Sequence, residues 1–275
     1  MVSFKIIRAW FAVSLVIATS FSASSTSAAD PILWGSTGQL APINVATGAV
    51  GSSILFNGSP SINASDLAGD AGTQGSLVWG VSFNNQLTAY QPVTQQILST
   101  TPITSPENIA SLAIDPTTGF FYGASVNNLY RIAPNTGVAT LIGATTLPVN
   151  KGLGFDSLGN LYGVGNENRL SAVSKSTGAA SLIATLNLFR MEDIAIHPET
   201  GVMYGLGYGY NADNYSLYQI NLTDGVLTRI GPSMSRPNGL AFTAIPEPSS
   251  VVLAMLSAAM VMLKHSRRGQ SPNLC

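Results

Sequence analysis

The sequence predicts an all-β protein, a five-bladed β-propeller closed by its own C-terminal strand. Three observations carry this prediction. An aromatic residue followed by glycine recurs at Trp34-Gly35, Trp79-Gly80, Tyr122-Gly123, Tyr162-Gly163 and Tyr204-Gly205. The spacings of 45, 43, 40 and 42 residues match the length of a four-stranded blade. The flanking segments repeat as well, and the chain begins and ends at points of the repeat that complete each other. A β-sandwich of similar short strands has no reason to repeat at this period.

In chain order, residues 1–29 read as a secretory signal peptide. Lys5 and Arg8 form a basic start, Ala9 to Ala18 an apolar stretch, and Ser27-Ala28-Ala29 a small-residue cleavage site before Asp30. An uncleaved N-terminal anchor is the competing reading, and the run of small residues favours cleavage. The mature chain is expected to leave the cytoplasm.

The propeller is expected over residues 30–244. Ahead of the aromatic-Gly pairs stand "IASLAIDPTTGFFYG", "NKGLGFDSLGNLYG" and "MEDIAIHPETGVMYG". Each reads as a short apolar strand, a turn begun by Asp or His and carrying Gly, then a second strand. After the pairs come "NNLYRIAPNTGVATLIG", "NRLSAVSKSTGAASLIA" and "YSLYQINLTDGVLTRIG", two alternating strands joined by a Thr-Gly or Asp-Gly hairpin. "GQLAPINVATGAVGSSILF" in the first unit matches this second half, and "NQLTAYQPVTQQILST" matches it without the glycine. The first unit lacks an inner strand. The segment 237–243, within "RPNGLAFT", supplies one and is expected to pair with the N-terminal unit, closing the ring and removing exposed sheet edges. Residues 57–75 hold the inner strand of the second blade around "ASDLAGD".

After the ring, Pro246-Glu247-Pro248 stiffens the chain and stops the last strand. A hydrophobic helix is expected over 249–263, within which Val251 to Leu263 is apolar apart from Ser257. As a helix those thirteen residues reach about 20 Å against about 30 Å of hydrocarbon, a marginal span. Lys264, His265, Arg267 and Arg268 follow and would stay cytoplasmic. Residues 269–275 read as a disordered tail ending in Cys275, the only cysteine, so no intramolecular disulfide is possible. The order "IPEP", apolar stretch, "KHSRR" over 245–268 resembles the PEP-CTERM sorting tail of bacterial proteins, with Ile245 where Val is usual. The resemblance implies recognition of Pro246, Glu247 and Pro248, with the basic pair Arg267 and Arg268, by an exosortase. It also implies delivery through the inner membrane to the outer surface or the exopolysaccharide matrix. The blade units over residues 32–243 are similar to secreted bacterial propellers whose repeats read like "LYGV…LYRINPTTGAVTLIG", a resemblance that implies the fold and is silent on ligand.

Charged residues are 9% of the chain, against about 25% in typical domains. Between Asp30 and Ile245 seven Lys/Arg face twelve Asp/Glu, leaving the body near −5 and without a basic footprint for nucleic acid. No Gly-x-Ser-x-Gly elbow, Walker loop or His-Glu-x-x-His motif occurs. His197 falls at the turn position of Asp115 and Asp156 and reads as a turn residue. With no second histidine in the domain a His-rich zinc site is excluded. No cofactor, metal or catalytic residue is expected.

The best place for a site is the central channel, where the inner strands converge. Lys151, Glu192 and Asn238 fall at equivalent points of the inner strands, where Lys151 is expected to pair with Glu192. Separately, the loop Tyr208 to Ser216 interrupts the fifth blade; Tyr208, Tyr210 and Tyr215 can stack on sugar rings and Asn211, Asp213 and Asn214 can hold a cation, with an ordinary long turn as the competing reading. The expected function is an exported, non-enzymatic binding or structural module with exopolysaccharide or other surface proteins as partners. Two alternatives are kept: a metal-dependent propeller hydrolase or lactonase with a cation between Glu192 and Asn238, and a permanently anchored single-span surface protein.

Overall fold

The computed structural model describes residues 30–56, 64–70, 76–210 and 214–243. Five antiparallel sheets surround a channel. The chain enters with β1 (Ile32–Ser36) and β2 (Leu40–Ile43). The second blade is β3 (Asp66–Gly69), β4 (Val78–Val81), β5 (Gln86–Gln91) and β6 (Gln96–Pro102). The third is β7 (Ser111–Ile114), β8 (Phe121–Ala124), β9 (Asn128–Ile132) and β10 (Ala139–Ala144). The fourth is β11 (Gly152–Phe155), β12 (Leu161–Val164), β13 (Arg169–Val173) and β14 (Ala180–Thr185). The fifth is β15 (Arg190–Ile196), β16 (Met203–Tyr208), β17 (Ser216–Ile220) and β18 (Leu227–Pro232). The last strand, β19 (Gly239–Thr243), pairs with β1 from Ile32↔Thr243 to Ser36↔Gly239 and becomes the inner strand of blade 1. The expected closure is therefore present, with the strand starting two residues later than residue 237. The Trp34 indole Nε1 donates to Thr243 Oγ1 at 2.9 Å and ties the two ends of the domain together.

The aromatic-Gly pair has a physical reading in this geometry. The aromatic ring packs onto the following blade: Trp79 edge-on to Phe121 at 4.9 Å, Tyr122 against Phe155 at 5.4 Å, Tyr204 against Phe242 at 5.7 Å. The glycine leaves a notch that a side chain from the linker before the inner strand, or from the start of that strand, fills. A Cβ at Gly123 would stand 2.6 Å from the Ile109 side chain, one at Gly163 2.7 Å from Val149, and one at Gly205 2.8 Å from the Met191 sulfur. The inner strands follow one packing rule. Ala68, Ala113, Ala195 and Ala241 sit at one register position and share clusters with Leu112, Leu153, Leu240 and Leu67 of the next blade. Small residues on one side and large ones on the other let neighbouring blades interdigitate at native density.

Blade 1 departs from the expected four strands. Residues 50–54 make only isolated bridges to β2, Ile43↔Val50 and Leu40↔Ile54. Pro42 accounts for this. Its carbonyl accepts from the Gly51 N–H at 2.8 Å, but it has no N–H to return, and Gly51-Ser52-Ser53 are weak strand formers. The outer hairpin of blade 2 lacks the glycine found at Gly48, Gly137, Gly178 and Gly225, and Gln95 takes the left-handed conformation instead, with φ +57°. Among the described residues the only helical segment is a three-residue 3-10 turn, and no helix is long and apolar enough to cross a membrane. Residues 1–29, the motif Pro246-Glu247-Pro248, the expected helix 249–263, Arg267, Arg268 and the tail 269–275 lie outside the described residues.

Candidate functional site

The channel mouth is formed on the face that carries the loops between the second and third strands of each blade and the linkers to each next inner strand. Blade 5 departs from the repeat here. Its inner strand β15 is seven residues long, where the other inner strands have four or five, and its register shifts between Met191 and Asp193. Glu192 is the extra residue of that bulge, which aims its side chain out of the ladder.

Glu192 is 8% exposed and gathers three partners. Arg190 Nε approaches Oε1 at 2.6 Å, the Tyr215 hydroxyl donates to Oε1 at 3.0 Å, and Lys151 Nζ lies 3.4 Å from Oε2. The expected pairing of Lys151 with Glu192 is thus present. Burial, and then the hydrogen bond to Glu192, push the Tyr215 phenol up from its ordinary range, while Arg190 and Arg236 nearby oppose the rise. Tyr208 packs on Tyr215 at 5.4 Å. Phe189 stands edge-on to both Tyr208, at 6.0 Å, and Tyr210, at 6.3 Å. Phe189 and Tyr210 are 62% and 66% exposed, so an aromatic crescent faces solvent directly beside the ionic cluster.

This crescent is held from behind. Asn168, in the left-handed region at φ +55°, donates Nδ2–H to the Leu188 carbonyl at 2.7 Å and the Phe189 carbonyl at 3.2 Å, and accepts from the Met191 N–H at 2.8 Å. Asn85 makes the same clamp two blades earlier, donating to the Glu107 carbonyl at 3.0 Å and accepting from the Ile109 N–H at 2.8 Å. The structure thus brings together five of the expected residues: Lys151, Glu192, Tyr208, Tyr210 and Tyr215. Asn238 precedes β19, is half-buried with its N–H on the Ser36 carbonyl at 2.7 Å, and takes no part in the ionic cluster. Asn211 and Asp213 lie outside the described residues. Phe189, Arg190 and Asn168 carry no sequence signal of a site. The only hint is that the linker "LNLFRM" puts a large aromatic where other linkers are polar or small.

Deeper in the channel lies a second group. Asp66, Ser111, Gly152, Asp193 and Gly239 occupy one register position in the five inner strands, one residue before the partner of each motif glycine. Asp66 and Asp193 are fully buried and hydrogen-bonded to each other. Asp66 also accepts from the Leu67 N–H at 2.8 Å and from the Leu112 N–H of blade 3 at 2.7 Å. Asp193 accepts from the Ile194 N–H at 2.6 Å and from the Leu240 N–H of blade 1. Burial raises Asp66 to about 7, and burial together with the Asp66 charge pushes Asp193 well above the usual carboxylate range. The pair therefore shares a proton at neutral pH. Ringed by N–H donors, it is built to hold neighbouring blades together.

The opposite mouth opens into a cavity of about 200 Å³ whose walls are apolar strand ends such as Phe155 and Phe242, with Asp156 and Ser157 at its rim. His197 serves the turn there, its Nδ1 accepting from the Glu199 and Thr200 N–H groups at 3.2 and 3.3 Å, as the sequence position suggested. Among the described residues no group of three or more His, Cys, Asp or Glu side chains comes together to hold a metal ion.

Known structures share the architecture. The chain is similar to a chain of a nidogen/laminin complex, with 13% identity and a TM-score of 0.50, covering 78% of this chain and 98% of that one. It is similar to a protein of unknown function from Bacteroides thetaiotaomicron, with 15% identity and a TM-score of 0.50, covering 74% of this chain and 58% of that one. It also matches a hydrazine synthase chain from Kuenenia stuttgartiensis, with 11% identity and a TM-score of 0.44, over 60% of this chain and about half, 48%, of that one. At these identities the likeness of the first two speaks for the fold alone. No curated protein matches the chain. Residues 110–245, which span blades 3 to 5 and the closing strand, match the family model of a repeat of unknown function (DUF6923).

Proposed function

We propose that this protein is an exported, non-enzymatic propeller that binds a glycan-type ligand at the mouth of its channel. In this reading its PEP-CTERM-like tail addresses it to the cell surface or the exopolysaccharide matrix. The observation that carries the binding role is the solvent-facing aromatic crescent of Phe189, Tyr208 and Tyr210 beside the Arg190–Glu192–Lys151 cluster. Aromatic faces stack on the apolar faces of sugar rings, and ordered charged groups at their side supply hydrogen bonds of fixed direction. The Asn168 clamp lowers the ordering cost on binding. The partners are then an exosortase-type enzyme during transit and matrix polysaccharide or surface proteins at the destination.

A glycan array probed with the full chain tests the binding role. Retention of one glycan class, lost in Tyr210→Ala, is expected, and a chain that retains none overturns it. Intact-mass measurement of protein from the matrix fraction tests the address: mature protein lacking everything beyond about residue 245 supports processing. Persistence of Arg267-Arg268 instead favours the permanent anchor.

A further inference from the structure

We infer that the ligand taken at the channel mouth is an acidic saccharide, a glycan carrying carboxylates on its sugar rings, with Arg236 as the group that reads its charge. This rests on the glycan-binding reading above and names the class of ligand.

The charge distribution points there first. The body has seven Lys/Arg against twelve Asp/Glu, so its net charge does not favour anions. Three of those seven cations, Lys151, Arg190 and Arg236, nevertheless surround one carboxylate, Glu192, and the phenol bonded to it. Cations thus outnumber carboxylates in this cluster, beside the place where the aromatic crescent opens to solvent. Such a local reversal of sign concentrates anions at one place and leaves the remaining surface unattractive to them.

The division of labour among the three cations follows from their partners. Lys151 and Arg190 are both engaged with Glu192, at 3.4 and 2.6 Å. Arg236 has no carboxylate partner among the described residues: the ion pairs there are Lys151–Glu192, Arg190–Glu192, Arg169–Glu167 and Lys175–Asp115. It is exposed, yet its charge is felt at the Tyr215 hydroxyl. Its backbone sits in the left-handed region at φ +51°, a conformation an arginine adopts only where its surroundings impose it. The surroundings are visible: the Ser233 N–H bonds the Tyr215 carbonyl at 2.9 Å and the Asn238 N–H bonds the Ser36 carbonyl at 2.7 Å, so the linker is pinned on both sides of Arg236. An exposed arginine without a carboxylate partner among the described residues, on a linker pinned to the Tyr215 backbone, matches a ring carboxylate lying next to a sugar face, because its fork of N–H groups donates to both carboxylate oxygens. A neutral saccharide would use the crescent and leave Arg236 without a role.

Calorimetric titration of the full chain with tetragalacturonate and with cellotetraose, at low and high salt, tests this. The expected result is tighter binding of the acidic tetramer by about ten-fold at low salt, with the advantage shrinking as salt screens it. Arg236→Gln should remove most of that advantage and leave cellotetraose binding unchanged, while Arg131→Gln, whose guanidinium lies over Phe120 on an outer strand, should change neither. Equal or better binding of cellotetraose overturns the inference and keeps the glycan reading. An acidic preference that survives Arg236→Gln overturns the role given to Arg236. Binding of neither tetramer, or of any other glycan, overturns both.

Discussion

Alkaline pH should loosen the ring, because the channel carboxyls Asp66 and Asp193 hold a proton that the unfolded chain releases. Asp66 titrates near 3.8 when unfolded and near 7 in the fold, where it is fully buried. Asp193 is raised further, by burial and by the charge of Asp66. A raised folded value means that the proton is bound more tightly in the native state. The stabilisation is therefore complete below about pH 4 and is lost as pH climbs through 7 and beyond. At 1.36 kcal/mol per unit, the shift of Asp66 from 3.8 to about 7 corresponds to about 4 kcal/mol. That is a large part of the 5–15 kcal/mol typical of a whole domain. Each proton held only by the native state tilts stability by about 1.4 kcal/mol per pH unit. Ordinary carboxylates finish titrating below pH 5. Asp115, whose burial is outweighed by its hydrogen bonds to Lys175 and Thr117, is held below the usual range and finishes earlier still. Urea unfolding of the ring between pH 5 and 8 thus leaves the other carboxylates out of the comparison. Stability should fall by several kcal/mol across that window, and Asp66→Asn, which keeps an acceptor for the Leu112 N–H, should flatten the fall. A wild-type stability that is level or rising from pH 5 to 8 would falsify this account, as would an equal fall in the Asp66→Asn and Asp193→Asn variants.

Other expectations concern single positions. Gln95→Gly should raise stability by about 0.5–1 kcal/mol in urea unfolding, since Gln95 is exposed and holds φ +57° at a site where the sister hairpins have glycine. Trp34→Phe should cost about 1–3 kcal/mol because it leaves the buried Thr243 hydroxyl without its indole partner, whereas Trp79→Phe, at a tryptophan whose buried Nε1 has no partner, should cost less. Asn168→Ala removes three hydrogen bonds from the linker behind the crescent. It should cost about 2 kcal/mol and speed amide exchange at Met191 more than at Ile109, which the separate Asn85 clamp protects.

Most of the ring was legible in the sequence because each blade writes the same rule again. The aromatic-Gly pair encodes a ring against the next blade and a notch for a linker residue, so five copies of it reveal five blades and the gap at the first one. His197 was legible as a turn residue because Asp115 and Asp156 stand at the same point of sister turns. The channel pair was not legible. Its members belong to blades 2 and 5, and they meet because Gly239, at the same register position of blade 1 between them, has no side chain to intervene. A Cβ at Gly239 would stand 2.6 Å from the Leu67 nitrogen. Only three-dimensional register aligns these positions, and the second unit hides its inner strand in a segment with little repeat character. The incomplete blade 1 was missed for a simpler reason: Pro42 was counted as part of an alternating pattern, although a missing N–H breaks the ladder on its outer side.

The candidate site follows from the way this fold distributes its constraints. Where all five units agree, the residue is explained by the ring: the motif glycines and the small residues of the inner strands. Chemistry specific to this chain has to reside where one unit disagrees with the other four. Blade 5 disagrees most, and its departures converge on one surface. Its inner strand is longer and bulged at Glu192, and its linker ends in Phe189-Arg190. The end of β16 and the loop after it carry Tyr208, Tyr210 and Tyr215, and the linker that leaves the blade turns through Arg236 in a strained backbone. A bulge, a long loop and a left-handed arginine each cost stability, and the regular blades show that the ring closes without any of them. Their coincidence around one buried carboxylate is what a binding site on a repeat scaffold requires, with rigid neighbours supplying the frame and one irregular blade supplying the contacts.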